Sequence, residues 1–259
     1  MKLHIVPART GAQWFKLGVL TFFKQPLALS GLFFMFMAVM TVLTLVPLIG
    51  NVLALALLPG ATLGLMAATE EAVKGKFPMP TVLLSAFRAG RQQLKSMLIL
   101  GLLYAIGILL VLAISATVDG GKVAHMYLEG GSISNETAQE PAVQFAALLG
   151  FALYLPLSLL FWHAPALVHW HGIAPVKSLF FSLVACMRNL GAFTVYSLVW
   201  LAAFVGVGMV VAVVTALAVG PEAVSGIIFP VLMLMAAMFF TSIYFTFRDC
   251  FEDSREATP

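Results

Sequence analysis

Six apolar runs dominate this sequence, each close to the ~20 residues that a helix needs to cross the hydrocarbon core of a bilayer. They cover roughly Pro26–Leu48, Asn51–Ala68, Met97–Val118, Ala142–His163, Leu190–Val219 and Val224–Phe247. No Asp, Glu, Lys or Arg falls inside any of them. In lipid the backbone finds no water to bond with, so such runs must close their hydrogen bonds internally, as helices. The composition agrees: 61% of the residues are apolar and 10% are charged, where a soluble domain carries roughly 25% charged residues. A water-soluble fold could not hide that much apolar surface. The chain therefore reads as an all-α, polytopic transmembrane helix bundle of about six spans. It forms a single membrane domain over residues 1–259, and its first partner is the lipid bilayer.

Loop lengths and charges give the arrangement. The turn around Pro47 to Asn51 and the Gly220-Pro221-Glu222 turn are short, so the first two and the last two spans form antiparallel hairpins. The fifth run is long enough to tilt or to project beyond the core. With the N-terminus inside, every Lys and Arg except Lys122 collects on one side. Basic loops mark the cytoplasmic face, which predicts that both termini lie in the cytoplasm. The first run lacks the pattern of a cleaved signal sequence and is expected to persist in the mature protein. Residues 251–259 read as a flexible cytoplasmic tail. Cys186 and Cys250 fall on the reducing side, so no disulfide is expected. The long outer segment Asp119–Glu140 starts Asp-Gly-Gly, carries a further Gly pair at Gly130, and reads as flexible, solvated turns.

Three stretches read as one unit used three times, over 10–70, 77–172 and 173–250. Each opens with an amphipathic segment, passes a basic–amide pair and enters a two-span hairpin. The pairs are Lys24-Gln25, Arg91-Gln92 and Arg188-Asn189. In the first unit Phe15, Val19, Phe22 and Phe23 oppose Gln13, Lys16 and Lys24. In the second, Ser85, Arg88, Gln92 and Lys95 form a polar stripe opposite Leu83, Phe87 and Leu94. In the third, Val176, Phe180, Leu183 and Met187 oppose Ser178, Ser182 and Asn189. Helices of this kind lie in the membrane interface, polar face to water and cations among the headgroups. The second helix of each hairpin carries a proline, Pro59, Pro156 or Pro230. These are helix-bend candidates, because proline deletes a backbone donor. Interrupted spans can mark a binding site, although proline is also common in membrane helices generally. Gly60 with Gly64, and Ala202 with Gly206, have the GxxxG interval of close helix packing.

Trp14-Phe-Lys-Leu-Gly, Phe23-Lys-Gln-Pro-Leu at the start of the first span, and Ala164-Pro-Ala-Leu-Val after the fourth resemble a family of proteobacterial six-span inner-membrane proteins of unknown function. The likeness covers most of the chain. It implies an inner-membrane location and a multi-pass helical fold, and it supplies no catalytic residues.

Chemistry is sparse. The stretch Trp162-His163-Ala-Pro-Ala-Leu-Val-His169-Trp170-His171 could ligate a metal or haem, or meet a quinone headgroup beside its tryptophans. Pro165 interrupts the helical register, so His163 and His169 need not share a face, and no Cys, Asp or Glu lies close in sequence to complete a site. Tryptophan and histidine at a membrane boundary also form interfacial belts. The reading therefore assigns no catalytic residue, no metal and no cofactor. Trp162, His163, His169, Trp170 and His171 remain weak cofactor-binding candidates. Ion-coupled carriers need an intramembrane ionisable group, whereas Glu70, Glu71 and Asp119 lie at span ends. Hydroxyls such as Thr41, Ser115 and Ser242 are expected to bond back to their helix or across to a neighbour. The net charge of +3 follows from the basic inner loops and leaves no domain for nucleic acid. The expected role is a non-enzymatic accessory, assembly or scaffold factor, with another membrane protein as an open partner. The alternative is a carrier or flippase-like handler of a lipid or other apolar small molecule. A reporter fused after Glu129 checks the orientation: activity outside the cytoplasm is expected, and cytoplasmic activity overturns it.

Overall fold

The computed structural model describes residues 2–46, 49–130 and 134–251. The expected tail lies outside these residues from position 252 onward, as does the centre of the first inter-span turn. Among the described residues the chain is helical without strands. The first half comprises α1 (Thr10–Lys24), α2 (Pro26–Thr44), α3 (Gly50–Val73), α4 (Ser85–Arg88), α5 (Arg91–Asp119) and α6 (Lys122–Glu129). The second comprises α7 (Asn135–Ala138), α8 (Pro141–Phe161), α9 (Ala164–His171), α10 (Pro175–Arg188), α11 (Leu190–Ala218) and α12 (Val224–Phe251). Six segments are long and apolar enough to cross a membrane: α2, α3, α5, Pro141–His171, α11 and Pro221–Phe251. Each of the six sequence runs overlaps one of them, with the end of the first at Pro47 and Leu48 outside the described residues. Pro59, Pro156 and Pro230 each sit inside a helix that continues through the proline.

The chain forms two compact units, each assembled from separated stretches. One comprises Met1–Met37, Thr62–Ser85 and Ala185–Pro259. Here α1 packs on both α11 and α12. The contact is backbone on backbone. A methyl group added at Gly11 would stand 2.1 Å from the Ala192 carbonyl oxygen, and one at Gly18 would stand 2.3 Å from the Ser242 Cβ. Small residues permit such approach, and dispersion at close range stabilises it. Between the two glycines the fully buried Trp14 lies against Phe193 and Tyr196, with ring centroids 5.2 and 5.9 Å away. Its indole N–H donates to Asp249 Oδ2 at 2.9 Å. Arg248 pairs with the other carboxylate oxygen of Asp249 at 2.9 Å. The Ser242 hydroxyl donates to the Phe239 carbonyl at 2.6 Å. With that proton committed, Ser242 Oγ accepts from Tyr196 Oη at 2.6 Å and from the Trp200 indole at 3.2 Å.

The N-terminal segment before α1 is fastened to the same unit by Asn189. Its side-chain oxygen accepts the Val6 N–H at 2.8 Å, and its amide donates to the His4 carbonyl at 3.0 Å and the Ala185 carbonyl at 3.1 Å. The His4 N–H in turn donates to the Cys250 carbonyl at 2.9 Å. Gln25 ties the α1–α2 corner to the Lys76 carbonyl at 3.0 Å. Gly64 packs on the Leu83 backbone in this unit. Cys186 and Cys250 are free thiols, both buried.

The other unit comprises Ala38–Ala61 and Ala86–Val184, with α5 packed on α6, α8 and α9. Gly101 meets the Ala56 carbonyl, Gly60 receives the Phe87 ring, and the Ser115 hydroxyl donates to the Ala146 carbonyl at 2.9 Å. The outer segment departs from the flexible turns expected of it. Asp119 is buried and accepts the N–H groups of Gly121 at 2.8 Å and Val123 at 2.7 Å, so it caps α6. Asn51 bonds to the Leu128 carbonyl, Lys122 pairs with Glu140, and Ser134 caps α7. Residues 131–133 of the second Gly stretch lie outside the described part.

The amphipathic segments also differ from expectation. On α10, Ser178 and Ser182 are 0% exposed while Val176 is 69% exposed, so the polar stripe faces protein and the apolar stripe faces out. Lipid favours such an arrangement more than water does. An apolar side chain gains nothing by leaving lipid, whereas a hydroxyl must find a protein partner there. On α1 the buried face is Gly11, Trp14, Gly18, Thr21 and Phe22, with Phe23 exposed. The stripe from Ser85 to Lys95 is not one helix: Gly90, at φ +107°, separates α4 from α5.

Overpacking a tight contact costs about 1–3 kcal/mol, and at Gly11 the obstacle is backbone. Gly11→Ala is therefore expected to lower the thermal midpoint in detergent. Gly31→Ala, with nothing within 4 Å, is expected to leave it unchanged. Equal midpoints for the two variants would contradict the α1 contact.

Candidate functional site

The fourth span is interrupted inside the histidine stretch. α8 ends at Phe161 and α9 starts at Ala164 with Pro165 in its first turn. Proline has no N–H, so the Phe161 carbonyl loses its helical donor and the ladder must open nearby. It opens one step earlier, around a hydroxyl. In an unbroken helix the His163 N–H would reach the Leu159 carbonyl. Instead Ser182 of α10 stands between them, accepting from the His163 N–H at 2.9 Å and donating to the Leu159 carbonyl at 2.7 Å. A side chain spliced into the ladder is a recognised cause of a helix break. Ser182 was legible in the sequence only as part of a stripe, and its partner on α8 was not.

The break distributes the candidate residues. His163 is the N-cap residue of α9 and is fully buried. His169 is half-buried, with its ring 5.9 Å from that of Trp170. His171 is exposed, and Trp162 is half-buried. The three imidazoles thus occupy three environments. Among the described residues no group of three His, Cys, Asp or Glu side chains gathers to hold a metal ion. Of the proline candidates, Pro59 is buried, whereas Pro156 and Pro230 are exposed.

The same unit holds a cavity of about 410 Å³ beside α9, lined by Gln92, Gln93, Lys95 and Ser96 of α5, by Val168 and by Gly172. Gly172 ends α9 in the left-handed conformation, φ +62°, and so turns the chain around the cavity mouth. Lys95 and Ile99 also line an adjoining open groove of about 310 Å³, whose other walls are Arg91, Leu94, Leu98 and Leu102. Sequence reasoning flagged Arg91-Gln92 as an interfacial signal but missed Ser96, which looks like an ordinary residue near the start of a span.

A probable inner membrane protein of Burkholderia thailandensis is 39% identical to this chain over 263 residues, an alignment spanning 100% of the chain and 97% of that protein. No protein-family profile matches the chain. No solved structure matches it.

The inserted hydroxyl makes a specific demand. Ser182→Ala is expected to destabilise the protein by about 1–3 kcal/mol, the range for stranding buried backbone groups. Ser182→Thr, which keeps the hydroxyl, is expected to retain most of the stability. Thermal unfolding in detergent checks both, and a wild-type midpoint for the alanine variant would contradict the splice.

Proposed function

This chain belongs to the same family as the Burkholderia thailandensis inner-membrane protein, and from that premise we propose that it acts as a non-enzymatic accessory, assembly or scaffold factor. It is a multi-pass inner-membrane protein, with six helices able to span the bilayer. The observation that carries the proposal is the long unpacked face of α11. Leu201, Met209, Val210 and Leu217 stand out from it, Leu217 at 84% exposure. Ala202 on that helix is exposed, and nothing lies within 4 Å of where a Gly206 methyl would sit. The glycines at Gly11, Gly18 and Gly101 all meet backbone at contact distance. A small-residue strip of this kind suits a helix of another membrane protein, because small side chains let backbones approach closely in lipid. In this proposal both termini are cytoplasmic, as the distribution of Lys and Arg favours. The three-unit repeat over 10–70, 77–172 and 173–250 is part of the same reading. The cavity and groove along α5 favour a second reading, a handler of a lipid or other apolar small molecule.

Purification in native nanodiscs, with mass spectrometry of protein and lipid, separates the two. A stoichiometric membrane-protein partner, lost from the Gly206→Leu variant, is the expected result. Recovery of the chain without any protein partner, carrying one enriched lipid, would replace the first reading by the second.

A further inference from the structure

The three basic–amide pairs of the sequence have different fates. Gln25 donates to the Lys76 carbonyl, and Asn189 holds the N-terminal segment through His4 and Val6. The side chain of Gln92, the middle member, makes no hydrogen bond with any described residue, and Gln92 lines the cavity beside α9. Ser96, a residue 8% exposed, lines it too, and its hydroxyl makes no hydrogen bond with a described residue and stays accessible from the cavity. Arg91 and Lys95 make no ion pair with any described residue, and no Asp or Glu lines either the cavity or the groove.

Three features of this place select one chemistry. The charge on its walls is positive and uncompensated. The α5 N-terminus opens beside it: Gly90 supplies no side-chain cap, so the N–H groups of the first turn have no intrahelical acceptor. Such an end favours an anion rich in acceptor oxygens. The adjoining groove, walled by Leu94, Leu98, Ile99 and Leu102, is apolar and runs along a membrane-spanning helix. A soluble anion would have no use for that groove. We infer that this place binds an anionic phospholipid, with the phosphate in the cavity among Gln92, Lys95 and Ser96 and an acyl chain along the groove. Lys95 lines both spaces, at the junction of headgroup and chain. The site stands whether the protein is a scaffold holding a resident lipid or a carrier moving one, so its failure and the failure of either role are separate results.

The test uses the full chain in mild detergent, with phosphatidylglycerol or phosphatidylcholine added and bound lipid counted by native mass spectrometry. The wild type is expected to retain phosphatidylglycerol in preference to phosphatidylcholine. Arg91→Gln with Lys95→Gln is expected to lower that retention about tenfold or more, given the contribution of each basic residue near anionic lipid. Gln92→Leu is expected to lower it as well. All these side chains except Ser96 are exposed, so thermal unfolding without lipid should match the wild type. Equal retention of the two lipids by the wild type overturns the proposal, and that result needs no variant to fold. Wild-type retention by the double variant also overturns it. Displacement of the lipid by millimolar inorganic phosphate would show a soluble-anion site and equally overturn the lipid assignment.

Discussion

The backbone contact of α1 with α11 and α12 is the interaction on which one of the two units depends. It exists because Gly11 and Gly18 present no side chain at the crossing points. Everything nearby is placed by it: the Trp14 indole reaches Asp249, and Tyr196 and Trp200 converge on Ser242. Burial of apolar area is not the driving force, since lipid tails are as apolar as the side chains they would replace. What remains is close-range dispersion and the need of each polar group for a protein partner. The unit is consequently held by glycines, a few hydroxyls, two indoles and one carboxylate.

The same rule organises the other unit. Ser115 bonds across to Ala146, Asp119 closes the top of α5 onto α6, and Ser182 bridges the interrupted fourth span. In each case a polar side chain at a helix surface finds a backbone group of a neighbouring element. The residues around the α5 N-terminus are the exception, because there the polar side chains turn to a cavity instead of to protein.

The spans were legible because a bilayer imposes a length and forbids charge, and both constraints act on residues adjacent in sequence. The faces of the amphipathic helices were harder to read. A stripe of Ser178, Ser182 and Asn189 looks the same whether it meets water or a protein interior. Only what packs against the helix decides, and on α10 the stripe meets protein. The glycines of the α1 contact, Gly11 and Gly18, have no small residue at the GxxxG interval, while Ala202 with Gly206 has the interval and remains open. Spacing along one helix cannot reveal what stands opposite. The outer segment was misread for a related reason: Asp-Gly-Gly signals a turn, but the buried capping carboxylate of Asp119 makes that turn the fixed start of a helix.

The spliced fourth span also has a history within each molecule. Ser182 lies downstream of both groups it joins, so during synthesis Leu159 and His163 emerge before the hydroxyl exists. Until it arrives, the donor of one and the acceptor of the other can be satisfied in lipid only by bonding to each other. The nascent span is therefore expected to close that bond first, and the break to follow once α10 packs and its hydroxyl takes over both groups. The interruption belongs to the finished fold, and a chain stopped short of α10 would carry a straighter fourth helix than the completed protein.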